Sequence, residues 1–158
     1  MNIGANSITD YGNYYQYGKG AAQYAVTSGQ SDYDGTENPL ATSVDTVAQV
    51  WGGQWHMPTK TQFDELIANT TYKWTTINGV NGGKFTSQNG NYVFFPAGGS
   101  WYDDSQNNVG IYGNYWGSTP GGPGGIVYGY SLGFSERSIG VGGHDRKNGC
   151  NVRGVVGE

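Results

Sequence analysis

Two imidazoles, one thiol and a scatter of carboxylates are the groups in this chain that could do chemistry. His56 and His144, with nearby carboxylates, are the makings of a metal-assisted hydrolase, because neutral imidazole and carboxylate oxygen both ligate divalent metals. As a catalytic base, however, His56 has neither a nucleophile nor a second His near it in sequence. Cys150 is the sole cysteine, so no disulfide can close within the chain. Asp32, Asp34 and Glu37 offer oxygen ligands, but their spacing does not meet the calcium-loop pattern, and solvation is their expected role. Asp103 and Asp104 are adjacent and would point apart on an extended chain, a poor arrangement for a shared acid/base pair. The residues therefore predict no catalytic group, no bound metal and no cofactor.

Recognition is the chemistry that remains, and residues 112–156 carry its pattern. Phe134, Ile139, Val141, Cys150 and Val152 read as inward-facing strand positions, while Ser138, Gly140, Gly142, Gly143, His144 and Asp145 take the alternate or intervening places. Glycine inside a strand costs conformational entropy and packs nothing, so an outer face this rich in Gly and Ser needs a reason. One reading is a loop-rich end of a domain. The other is a binding surface whose side chains are free to vary because the fold is secured from beneath.

The elements that must hold such a surface can be read in outline. At 158 residues the chain is long enough for one domain with a core of its own. It has 29 Gly, 13 Tyr and 5 Trp, with 15% aromatic residues and a net charge of −4, which is the composition of a compact, turn-rich domain and not of a disordered one. Its 8 Lys and Arg are scattered, so no electrostatic footprint for nucleic acid exists. The first residues carry neither a basic segment nor an apolar leader, and no run of about 18 apolar residues occurs, so no membrane insertion is expected. Residues 13–18 read as a short aromatic strand and residues 21–39 as a surface loop. Asp45 can cap a short helix through Val50, and Thr59 with Gln62 forms a capping box for a helix with Phe63, Leu66 and Ile67 on one face. Trp51 and Trp55 are expected to pack against that helix as core anchors. Asn-Gly pairs in residues 72–83 mark tight turns. Asn89-Gly90 predicts a two-residue hairpin with Tyr92, Phe94 and Phe95 in its core, followed by a loop over residues 97–113 that carries Trp101 and Tyr102.

Several short motifs occur together and in order. Residues 51–67, WGGQWHMPTKTQFDELI, then NYVFFPAGG, NYWGSTP and GCNVRGV resemble segments of bacterial and phage domains with the C-type-lectin-like fold, in the branch related to formylglycine-generating enzymes. The resemblance covers roughly residues 14–156. It implies an α+β domain with two helices, of which residues 59–69 form the second, small antiparallel sheets, long irregular loops, and first and last strands close together. The enzymes of that branch use active-site cysteines, and Cys150 alone stands where their pattern has Phe. The calcium-dependent sugar motifs of animal lectins are missing as well. The subgroup that fits is the variable proteins of diversity-generating retroelements, whose adenine-directed mutagenesis turns Asn codons into codons that cannot encode Lys, Glu, Gln, Met or Trp. Tyr112, Asn114, Gly117, Gly121, Gly122, Ser135, Ser138, Gly140, Gly142, Gly143, His144 and Asp145 obey that restriction. Glu136, Lys147 and Trp116 do not, and are expected to be scaffold.

The resulting expectation is one domain over residues 1–158 with a variable region at 112–154, displayed on a phage virion or bacterial cell surface. It would bind an unidentified target, a cell-surface protein or glycan, with Tyr112, Tyr128 and Tyr130 supplying rigid contact area. A fixed carbohydrate-binding or adhesin module is the alternative, and a formylglycine-generating-type oxidase a more distant one. Arg146 and Arg153 are expected to bond loop carbonyls, with direct contact to the ligand as the alternative.

Overall fold

The computed structural model describes residues 1–25, 33–125 and 127–157. Among these residues it is a mixed α+β protein with two α-helices and mostly antiparallel strands. Helix α1 (Thr46–Trp51) starts where Asp45 accepts from the Ala48 amide. Helix α2 (Lys60–Asn69) starts at Thr59, whose hydroxyl accepts from Gln62 N while the Gln62 side chain accepts from Thr59 N. Both starts have the polar residue that the exposed amides of a first turn require.

The ten strands of the described residues follow the local turn chemistry. Strand β1 (Trp55–His56) pairs with the last strand, β10 (Val155–Val156), and Ile3 N bonds Val152 O at 2.9 Å, so the two ends of the chain meet. Strands β2 (Thr71–Ile77), β3 (Val80–Thr86) and β4 (Tyr92–Pro96) form one antiparallel sheet. Asn78 and Gly79 join β2 to β3 with φ of 50° and 78°, a two-residue turn in which both positions need the left-handed region. Strands β5 (Ser100–Tyr102) and β6 (Ser105–Asn107) make a small hairpin. Strands β7 (Tyr112–Gly121), β8 (Tyr128–Ser135) and β9 (Ile139–Asp145) form the third larger unit, with β8 central.

Two buried clusters hold these pieces together. One joins Ile3, Tyr15, Tyr17, Val47, Met57, Trp116, Cys150 and Val152 beneath the paired ends. The other joins Phe63 of α2, Phe85 and Phe95 of the β2–β4 sheet, and Tyr115, Leu132 and Phe134 of the β7–β9 sheet, with Ile139 and Val141 packed against it. Each such aromatic or aliphatic side chain contributes about 1.5–3 kcal/mol when fully buried.

Several expectations need correction. Residues 13–18 do not form a strand; Tyr15 makes single bridges to Gln23 and Cys150. Trp51 and Trp55 are 42% and 39% exposed and pack edge-on against each other, 4.9 Å between ring centres, with Trp51 lying over Gly154. The β3–β4 connection is longer than two residues: Ser87 N bonds Asn91 O, and Gly90, at φ 89°, completes a wider turn. Tyr92 is 48% exposed and lies under the Lys84 ammonium, 4.2 Å from ring centre, while Phe94 and Phe95 are buried as expected. Residues 97–113 contain the β5–β6 hairpin, with Asp103 at φ 51° in its turn, so these paired carboxylates serve a tight reversal. Asp32 and most of the segment between Tyr24 and Tyr33 lie outside the described residues.

Candidate functional site

The strand register decides which residues of the third sheet share a face. Asn114 lies opposite Gly133, which lies opposite Gly140; Trp116 lies opposite Ser131, which lies opposite Gly142; Gly129 lies opposite His144, and Tyr112 opposite Ser135. Side chains alternate along each strand, so these residues form one face. The other face carries Tyr115, Leu132 and Val141 in one row and Phe134 with Ile139 in the next, and it packs into the second buried cluster under α2. One face is thus secured by aromatics, and the other is small and polar apart from Tyr112 and Trp116.

A cavity of about 340 Å³ opens on the polar face, lined by Tyr112, Asn114, Ser131, Gly133, Ser138, Gly140, Gly142 and His144, with backbone from Ile139, Val141 and Gly143. Its lining carries no Asp, Glu, Lys or Arg. At one end Trp116, fully buried, anchors the face: its Nε1 donates to Tyr15 O at 2.7 Å, and its ring meets Tyr17 and His144 edge-on. Asn148 Nδ2 lies 3.0 Å from His144 Nε2. With the amide nitrogen as donor, Nε2 accepts and the ring proton sits on Nδ1. Burial pulls the His144 pKa below the usual imidazole value, against a smaller opposing pull from Asp145, which keeps the cavity wall uncharged near neutral pH.

The twelve residues singled out from sequence do not all meet here. Tyr112, Asn114, Ser138, Gly140, Gly142, Gly143 and His144 come together around the cavity. Ser135 sits beside it in the β8–β9 turn, its hydroxyl 2.9 Å from that of Ser138. Asp145 aligns with Tyr128, and its Oδ1 accepts from Lys147 N. Gly117 is buried elsewhere: a Cβ there would stand 2.9 Å from Pro58 O and 3.0 Å from Tyr130 O, so backbone packing excludes any larger residue. Gly121 and Gly122 lie toward the far end of β7, the first against the Tyr130 ring and the second at φ 87°. Tyr128 and Tyr130, expected as contact aromatics, align with Asp145 and Gly143, in the rows that face away from the cavity. Sequence reading missed Ser131 and Gly133 on the central strand. The signal was there in the Gly-Ser alternation of YGYSLGFS, but only the register shows which residues stand opposite the β9 glycines.

Gly140 and Gly142 differ from the other glycines. A Cβ built on either meets no atom within 4 Å, and neither has positive φ, so both accept any L-residue. The remaining chemical candidates are spent on structure. His56 sits between two carbonyls, with Nδ1 2.8 Å from Met57 O and Nε2 2.7 Å from Gly157 O, one of which its N–H serves. Cys150 is fully buried, and its thiol pKa is pushed up by desolvation. Arg146 donates to the carbonyls of Tyr128, Tyr33, Gly35 and Gly125, and Arg153 to Phe94 O. Among the described residues no cluster of three or more metal-ligating side chains occurs, and no helix is long and apolar enough to cross a membrane.

Fold and site together define a mixed α+β protein, largely antiparallel, with an uncharged concave face on one three-stranded sheet. No protein-family model matches the chain, and neither does any curated protein or solved structure.

Proposed function

We propose that this chain is a ligand-binding protein of C-type-lectin-like fold, a variable protein of the diversity-generating retroelement kind, and that the polar face of β7–β9 is its recognition surface. The observation that carries the reading is the open space around Gly140 and Gly142 on a strand whose opposite face is held by Ile139 and Val141. A surface whose side chains change cannot contribute dependably to stability, so it must rest on backbone bonds and on buried residues beneath. Phe134 beneath the sheet and Trp116, buried at the end of the same face, supply that support. Ser138, Gly140 and Gly142 are then the positions best placed to vary, while Gly117 and Gly122 belong to the scaffold. The recognition involves no covalent chemistry, in keeping with a buried Cys150. The target is a protein or glycan exposed on a cell surface.

Substitution separates tolerant from structural positions. Gly140→Tyr and Gly142→Tyr are expected to leave stability within about 0.5 kcal/mol of the parent, as exposed substitutions do. Gly117→Ala should lose about 1–3 kcal/mol by overpacking, and Trp116→Ala about 3–5 kcal/mol. A display library varied at Ser138, Gly140 and Gly142 should yield binders to different surface targets from the same folded scaffold. Denaturation curves showing equal losses for the two classes of substitution would refute the reading. At the gene, it requires an imperfect repeat that differs from the coding region at adenines, beside a reverse transcriptase.

A further inference from the structure

Beneath the tolerant rim the cavity has a floor of a different character. Asn114 is 6% exposed and Ser131 4% exposed, both line the cavity, and neither side chain hydrogen-bonds to a described residue. Buried amides elsewhere spend their donors inside the protein: Asn2 donates to Tyr11 O and to the Tyr115 hydroxyl, and Asn151 donates to Tyr11 O and Asn13 O, while the side-chain oxygens of both are enclosed without a partner. The polar ends of Asn114 and Ser131 are not among the enclosed unpaired atoms of the molecule; they reach the open cavity, where they are free to bond a ligand. Both residues, in neighbouring cross-strand rows of one face and opening on one cavity, are placed to be completed from outside.

We propose that Asn114 and Ser131 form a fixed hydrogen-bonding floor that takes a neutral carboxamide group of the ligand. The inference rests on the recognition reading above and assigns the part of that surface that does not vary. A carboxamide presents an acceptor beside a donor pair, and its complement is a second carboxamide in the reverse sense, with the Ser131 hydroxyl free to give or accept one more bond. A carboxylate or ammonium would enter a cavity whose lining carries no opposite formal charge, and would be desolvated unpaired. Tyr112 supplies the apolar wall beside the amide, since its hydroxyl end stands 3.2 Å from where a Cβ on Gly133 would be, leaning over the floor. The acetamido group of an N-acetylated sugar and the side-chain amide of a peptide glutamine share this chemistry.

Titration of the full ¹⁵N-labelled chain, followed by NMR, tests the assignment with four probes: N-acetylglucosamine, acetyl-glutamine-methylamide, glucose and sodium acetate. At least one of the two amide compounds should move the Asn114 side-chain NH₂ resonance and the Gly140 and Gly142 amides to saturation, and the stronger of the two identifies the source. Glucose and acetate should leave them in place. Asn114→Ala and Ser131→Ala should each weaken the amide probe about tenfold or more, with Ser131→Ala, the smaller change, carrying the test if Asn114→Ala loses its dispersed spectrum. The floor assignment falls if no amide compound moves the Asn114 group, if acetate or glucose moves it as strongly, or if folded variants bind like the parent. Should that happen while Gly140→Tyr and Gly142→Tyr stay folded, the recognition surface stands without the floor; if those two unfold, the recognition reading itself fails.

Discussion

His144 shows how one side chain links the cavity to the core. It stands between the Trp116 ring, 5.4 Å away between ring centres, and Asn148, and it lines the cavity with its remaining edge. Its pKa is lowered chiefly by burial, with Asp145 pulling weakly the other way. In the unfolded chain the ring titrates near the usual value of about 6.5. Between the folded and unfolded pKa values the unfolded chain therefore binds more protons, and stability rises with pH through that window. The contribution is fully present above about pH 6.5 and is lost as pH falls through the lower, folded value. Urea denaturation of the parent and of His144→Gln from pH 7.5 down to 5 should show the parent losing more stability than the variant; parallel curves would mean that the ring is not held neutral by its surroundings. Nothing in the residue's neighbours along the chain announces this environment, because Trp116 and His144 are brought together by the sheet.

The helix starts were legible in the sequence because the interactions that make them are local. Thr59 and Gln62 are three residues apart, and their reciprocal bonds require only the first turn of α2. Asp45 looks like the same device and is more than that. Beyond capping α1 through Ala48 N, its carboxylate accepts from Met57 N at 3.0 and 3.2 Å and is buried. Thr59→Ala should cost about 1 kcal/mol. Asp45→Ala should cost about 2 kcal/mol or more, since it also leaves a buried amide without an acceptor. Chemical denaturation of the two variants side by side checks the ordering; equal losses would show that the Met57 bond contributes nothing. The wrong expectations at this scale have a common cause. Trp51 and Trp55 looked like core anchors by size, and the hairpin after Phe85 looked like a two-residue turn by its Asn-Gly pair. Yet Trp51 leans on Gly154, which is distant in sequence, and the Thr86–Tyr92 register leaves five residues to be turned.

For the whole molecule the decisive residue is Arg146. It is buried between two loops and strand β8, donating to Tyr33 and Gly35, to Gly125, and to Tyr128 in the sheet, with its guanidinium over the Tyr17 ring. A lysine has the charge but not the planar fork, so Arg146→Lys should cost about 3 kcal/mol or more and speed hydrogen exchange around residues 33–35 and 125–128 together. Faster exchange in one segment alone would show that the loops are held separately. The sequence by itself determined what depends on near neighbours: two capped helices, the Asn78-Gly79 reversal, and the apolar alternation that buries Phe134 and half-buries Ile139 and Val141. It also marked the glycines of the last third as unusual. Tertiary structure decided which of them matter. Gly140 and Gly142 face open space while Gly117 is locked between two carbonyls, and the same residue type carries no local sign of either fate. The cavity floor was likewise undecided until β7, β8 and β9 were in register, because a one-residue slip would send Asn114 and Ser131 to the opposite face. Contacts between residues far apart in the chain are set by the packing of whole sheets, and no window of sequence contains them.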